Sequence, residues 1–205
     1  EANPGTDFFF SAYQNVHEDT GRIEPVKLSA IGRGRLESSP WYLLGANYIG
    51  NPSCTLFRQD PHILFDERFK WVVDFEFYIR YLKAHGAWKY IDEPLVNVGI
   101  NPTQVTTYTF GVPGVQVPEN HLLLAKNGPE NLKNLVVYDY FWRLYRNLNI
   151  RSIDDIRNAG YTDPLPRALQ SMIRWQHRIP KTLLKTGPIS KGLMFVHYLT
   201  HSNRI

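Results

Sequence analysis

The sequence predicts an α/β chain in two parts: a region built on a sheet over residues 1–110, then a helical, basic region over residues 111–205. Three observations predict it. Short β-type apolar runs surround one helical segment in the first part. Helical periodicity takes over beyond residue 119. No acidic residue follows Asp163, so the last stretch of chain is cationic throughout.

Residues 7–16, with Phe8-Phe9-Phe10 and Tyr13, read as a buried strand. Residues 17–40 read as loop, with a turn at Glu18-Asp19-Thr20-Gly21 and a flexible piece at Gly32-Arg33-Gly34-Arg35. Those glycines are not a phosphate loop, because no Lys-Ser/Thr pair follows to open a helix. Residues 41–49 suit a short helix, Gly50-Asn51-Pro52-Ser53 a turn, and 54–58 a short strand. From 72 to 85 the pattern is helical, with Phe75, Ile79 and Leu82 in phase and Gly86 as the stop. Strands follow at 87–91 and 95–100, separated by Asp92-Glu93-Pro94. The Thr-, Gly- and Pro-rich run 101–118 reads as a loop with room for a hairpin. Helices are expected at 119–126, 130–148, 152–159 and 166–177. The second of these carries a stripe of Leu132, Leu135, Val136, Tyr140, Leu144 and Leu148.

Composition narrows the classes. A hydrophobic content of 43% and an aromatic content of 14% support a packed core rather than disorder. The single cysteine, Cys54, excludes an internal disulfide framework and a multi-cysteine metal site; it reads as a small core residue. No apolar run approaches the ~20 residues that span a bilayer. The tail interleaves Arg167, Arg174, Arg178, Lys181, Lys185, Lys191 and Arg204 with apolar residues. Such a pattern suits an anionic partner, and peripheral membrane contact through 166–199 is expected. The charge is too dispersed for a nucleic-acid module.

The chemistry-bearing run is Phe65-Asp66-Glu67 through Asp74-Phe75-Glu76-Phe77-Tyr78-Ile79-Arg80. It sets Asp74 in an apolar segment where a helix begins. A carboxylate there either caps the helix or is kept for its charge. Glu76 and Arg80, four apart, can pair on one helical face or offer polar groups to a ligand. Asp66 reads as a turn residue and Glu93 as a loop acid. Trp71 and Trp88 suit either core or sugar stacking.

In order, Gly50-Asn51-Pro52-Ser53, Leu56-Phe57-Arg58, Phe65-Asp66-Glu67, Asp74 to Arg80, Gly86 and Tyr90-Ile91-Asp92-Glu93-Pro94-Leu95-Val96 resemble the second half of a family-2 glycosyltransferase domain of the GT-A type. The opening Glu1-Ala2-Asn3-Pro4 is similar to the end of the helix before that family's central strand. The resemblance covers residues 1–108. It implies a partial GT-A domain, Rossmann-like with a mixed sheet, followed by a helical extension. It also implies transfer of a sugar, with inversion, from a nucleotide-sugar donor to a glycan or lipid-linked acceptor.

By that resemblance Asp74 is expected to be the catalytic base and Asn51 and Ser53 to line the acceptor and donor-sugar site; Glu76 and Arg80 join that site where they do not simply pair with each other. The family's divalent metal, Mg or Mn, is expected for the complete enzyme, but no Asp-x-Asp occurs here to hold it. Two departures stand out. Val73 sits where an acid usually precedes the base. Gly99 and Asn101 sit where many members carry an Arg and a His. The chain opens without an initiator Met or a signal-peptide pattern, so the acceptor-side piece of a longer chain is expected. Such a piece would expose a sheet edge and self-associate. A cytoplasmic location, peripheral at the inner face of the membrane, fits a lipid-linked acceptor. The alternative is a non-enzymatic interaction or membrane-docking module.

Overall fold

The computed structural model describes residues 4–102 and 104–203. The Glu1-Ala2-Asn3 opening and Arg204 of the basic tail lie outside the described residues. The protein is a mixed α/β chain with a small open sheet and many helices. It divides into two compact units, Glu1–Leu43 with Asn47–Tyr108, and Leu44–Ala46 with Thr109–Ile205.

The first unit is organised by β1 (Phe8–His17). One edge of β1 takes β4 (Trp88–Ile100) in parallel along its whole length. The other edge is shared end to end by two short antiparallel strands. These are β3 (Thr55–Phe57), opposite Phe8 to Phe10, and β2 (Ile23–Val26), opposite Tyr13 to Val16. Alternation along β1 buries Phe8, Phe10 and Ala12 on one face. Phe8 meets Tyr78 edge-on at 5.6 Å and Tyr81 at 5.5 Å, both from α2 (Val73–His85). Acids in the first turn of α2, Asp74 and Glu76, and Lys83 and His85 in its last turn suit the helix dipole. Gly86, at φ 74°, ends the helix and donates its N–H to Leu82.

Four expectations are corrected in this unit. Within 17–40, residues 23–26 form β2, held by β1 rather than by their own weak pattern. The expected flexible piece Gly32–Arg35 lies inside α1 (Ala30–Ser38). Ser29 caps that helix by accepting the Gly32 N–H at 3.0 Å. Gly32 is needed for close approach, since a Cβ there would lie 2.9 Å from Tyr48. The short helix expected at 41–49 contracts to a 3-10 turn over Pro40–Leu44. The two strands at 87–91 and 95–100 are one strand, β4, whose register against β1 jumps from Ile91 to Pro94 to Val96. The extra residues bulge out, which accommodates a proline that cannot donate to the ladder. Among the described residues the far edge of β4 is unpaired, and the bulge with Asp92, Glu93 and Pro94 is the sort of device that discourages strand addition.

Gly50 enters the turn before β3 at φ 101°, and a Cβ there would lie 2.7 Å from the Tyr13 ring. Gly50→Ala is therefore expected to lower stability by about 1–3 kcal/mol, read as a denaturation midpoint. An unchanged midpoint would show that the turn relaxes freely.

The second unit is helical. After α3 (Val105–Thr109), which spans the boundary between the units, it contains α4 (Pro113–Asn127), α5 (Leu135–Asn147), α6 (Ile153–Asn158), α7 (Arg167–Arg178), α8 (Lys181–Lys185) and α9 (Gly187–His201). The expected loop over 101–118 is replaced by α3 and the start of α4. Pro113 sits in the first turn of α4, where its missing N–H costs nothing. The helix expected over 130–148 is a 3-10 turn at Pro129–Lys133, then α5 capped by Asn134, whose side chain accepts the Val136 N–H at 2.9 Å. Its buried face is also rotated from the expected stripe. Val137, Tyr138, Phe141, Trp142, Leu144 and Tyr145 are inside, while Leu135 is exposed. Large aromatics bury more area than the leucines and set the phase.

Their polar tips are satisfied across helices. Trp142 donates to Ser190 Oγ at 3.1 Å, and Gln176 donates to the Trp142 carbonyl at 2.9 Å. His197 lies between the Tyr138 hydroxyl at 2.6 Å and Ser171 Oγ at 3.1 Å. His121 donates from Nδ1 to the Val117 carbonyl at 2.6 Å, which leaves Nε2 to accept the Tyr145 hydroxyl at 2.7 Å.

Burial pushes His121 down from 6.5 to about 4. The unfolded chain gains the proton first, so the stability this neutral histidine supplies is full above pH 6.5 and falls as pH drops towards 4. The loss is on the order of 3 kcal/mol. Melts of wild type and His121→Gln between pH 4 and 7 test it. A shallower slope in the variant is expected, and identical slopes would reject the assignment.

Candidate functional site

The site is assembled in the first unit by the 3-10 turn Pro52–Cys54, by β3 and by the start of α2. Asp74 is the second residue of α2. The helix cap is Val72, which offers no side-chain hydrogen bond. The Asp74 carboxylate accepts the N–H of Phe75 at 2.9 Å, one of the amides a helix start leaves unsatisfied. Burial raises its pKa from 3.8 to about 6, against the lowering effect of the Phe75 and Asp74 amides. No cation contributes to the shift. At neutral pH the group is mostly ionised, in a setting that favours taking up a proton.

Tyr78 stands one turn further along the same face of α2. Its ring is buried, and its hydroxyl makes no hydrogen bond of ordinary geometry among the described residues. Burial first, then the Asp74 charge, push this phenol well above its usual range, with Thr55 opposing. It is therefore a neutral donor beside a carboxylate. Cys54 lies close to both Tyr78 and Tyr13. It is buried and free, and burial raises its thiol, so it is a packing residue without thiolate character.

Cys54 and Thr55, but neither Asp74 nor Tyr78, line an apolar groove of about 290 Å³ together with Phe9, Ser53, Leu56, Leu95 and Val96. Ser53 is exposed on its rim, and Asn51 is half-buried at the head of the 3-10 turn, its side chain free of capping. The structure thus brings Asn51, Ser53 and Asp74 to one region through Cys54, Thr55 and Tyr78.

Glu76 and Arg80 point elsewhere on α2. Glu76 is 1% exposed, and Arg80 grips it with two hydrogen bonds of 2.5 and 2.7 Å. Arg80 also donates to the Leu64 carbonyl at 2.5 Å, which ties the preceding loop to the helix. Asp66 forms the expected turn, accepting from the Arg68 backbone and side chain. Trp88 packs against Phe10 at 5.4 Å, and Trp71 is half-buried. Gly99 and Asn101 meet Glu18 instead of a ligand. Asn101 donates to it at 3.0 Å, and a Cβ on Gly99 would lie 2.7 Å from it.

Sequence reasoning missed Tyr78 and Thr55. For Tyr78 a signal existed, the four-residue spacing from Asp74. Thr55 had none, because its proximity depends on the pairing of β3 with β1. Among the described residues, no group of three or more His, Cys, Asp or Glu could hold a metal ion. No helix among them is long and apolar enough to cross a membrane. Comparisons of the chain with protein-family models, with curated proteins and with solved structures return no match.

Proposed function

We propose that this chain carries the acceptor side of a sugar-transferring site, in a partial GT-A domain of Rossmann-like type, with Asp74 as the base. One observation supports the reading above the others. A half-buried carboxylate, raised to about 6, opens a helix beside a protonated phenol, and Thr55, which acts on that phenol, lines an open groove. In the reaction an acceptor hydroxyl gives its proton to Asp74. Its oxygen attacks the anomeric carbon of a nucleotide-sugar from the face opposite the diphosphate. The bond to the diphosphate breaks, the leaving group keeps the electron pair, and the configuration inverts.

Asn51 and Ser53 are assigned to sugar hydroxyls at the rim of the groove. Glu76 and Arg80 are committed to each other and to Leu64, so they enter as positioning residues that hold α2 and its loop. The described residues do not fit the divalent metal of the resembled family, and no step is routed through one. The test is nucleotide-sugar turnover by the full natural protein that contains this chain, with Asp74→Asn. Near-wild-type turnover would sink the assignment.

A second reading, a docking module for an anionic membrane surface at the cytoplasmic inner face, draws on α9. There Lys191, Phe195 and Leu199 recur at four-residue spacing and are all exposed. Flotation with anionic vesicles separates the readings. Phe195→Ser with Leu199→Ser would abolish flotation under the second, and Asp74→Asn would leave it intact.

A further inference from the structure

The second unit holds a cavity of about 230 Å³ between the end of α5 and α8. It is lined by Arg146, Arg151, Lys181 and Lys185, with Asn147 and Asn149, over a floor of buried Leu184. Several arginines and lysines elsewhere find carboxylates: Arg22 with Glu24, Lys27 with Asp92, Arg58 with Asp7, Arg143 with Asp139. Among the described residues, none of the four cations around this cavity pairs with one. The chain offers no acid beyond Asp163 to neutralise α8. Asp155, at the start of α6, is turned to the amides of Arg151 and Ser152, at 2.7 and 2.8 Å.

The two arginines are fixed in place. Arg151 donates to the carbonyls of Gln176 and Ile179, at the end of α7. Arg146 donates to Ser190 Oγ at 3.2 Å and to Asn147 Oδ1 at 3.1 Å. The chain reverses between them at Asn149, at φ 55°, closed by the Ile150 N–H on the Tyr145 carbonyl at 2.9 Å. A non-glycine residue in the left-handed region is a cost that the turn bears to bring Arg146 and Arg151 to one rim. Lys181 and Lys185 are exposed, one turn apart on α8, and complete the ring.

Like charges gathered in a concave site repel unless an anion joins them. The volume lies below the ~300–1,000 Å³ of pockets for drug-sized molecules, so it suits a compact anionic group. We infer that this cavity binds a phosphate group, contacted by the two lysines as point charges and by the side-chain amides of the asparagines. The site belongs to the second unit, Asp74 to the first, and the inference does not rest on the sugar-transfer reading. The phosphate has two possible sources, a soluble phosphate or a lipid headgroup.

The test uses pyrophosphate titrated calorimetrically into the full chain, and flotation with phosphatidylglycerol vesicles against phosphatidylcholine vesicles. Lys181→Gln with Lys185→Gln removes exposed charge without disturbing the anchored arginines. Arg174→Gln with Arg178→Gln removes the same charge from outside the cavity. Saturable pyrophosphate binding, weakened about tenfold or more by the lysine pair and little by the arginine pair, supports the site. Loss of phosphatidylglycerol flotation in the lysine pair alone supports it with a headgroup as the source. Pyrophosphate binding without flotation supports it with a soluble source. No saturable binding in either arm, or equal loss in both double variants, overturns it.

Discussion

Replacing Asp74 with Asn is expected to move activity and stability in opposite directions. If Asp74 takes the acceptor proton, its amide variant loses about 10²–10⁴ in turnover, the span a positioned base supplies. The pH profile of kcat/KM should rise through about pH 6 in wild type, as the carboxylate deprotonates, and lose that limb in the variant. Stability should change the other way. Burial disfavours the ionised form, so the folded pKa of about 6 lies above the unfolded 3.8. The unfolded chain releases this proton first as pH rises. The fold is therefore penalised progressively between pH 4 and 6 and carries the full penalty above that. The interval corresponds to about 3 kcal/mol. Asp74→Asn, neutral throughout, should be more stable than wild type at pH 7 by up to that amount, with the gain shrinking to nothing near pH 4. Denaturant midpoints across this range read the effect. A variant less stable at pH 7 would show that the carboxylate serves the helix start. Gained stability with lost turnover is the signature of a residue kept for chemistry.

The second large effect is expected at Glu76. Its carboxylate is buried and is held at both oxygens by Arg80, which is 27% exposed on its side chain. Removing one partner of a buried pair leaves the other uncompensated. Arg80 can partly reach water, so Glu76→Ala should cost about 2–3 kcal/mol, below the range for a fully buried pair. Glu76→Gln, which keeps a hydrogen-bonding oxygen, should cost less. The double variant Glu76→Met with Arg80→Leu should recover much of the loss, because neither charge is then stranded. It would still lack the hydrogen bond to the Leu64 carbonyl, so proteolysis of the 59–72 loop should quicken even where the midpoint recovers. A double variant costlier than Glu76→Ala alone would show that the loop tether, which only the double removes, outweighs the stranded charge. The histidine of the second unit adds a contrast. Acidification relieves the burial of Asp74 but destabilises the fold around His121, so the two groups oppose each other between pH 4 and 6.

Elements written in local periodicity were legible before any coordinates. β1, with its alternating Phe8, Phe10 and Ala12, is one; α2, with its stripe and Gly86 stop, is another. The elements misread are those whose cause lies far away in sequence. β2 exists because β1 offers it an edge, and the bulge in β4 exists because ten residues of β1 demand continuous pairing. α1 was hidden by its two glycines, of which Gly32 serves a close contact with Tyr48. The buried face of α5 was misphased because a leucine stripe is a weaker guide than which aromatics find imidazole and hydroxyl partners.

The sequence by itself determined the identity and local setting of Asp74, an acid at the apolar start of a helix, and the one-sided charge of the chain beyond Asp163. Only the tertiary structure decided what those charges meet. It set Thr55 against Tyr78, buried the Glu76 end of a pair that its four-residue spacing from Arg80 already allowed, and drew Arg146, Arg151, Lys181 and Lys185 around one cavity. The physical reason is that spacing along a chain sets which face a residue occupies, whereas burial and charge pairing depend on which other segments close over that face.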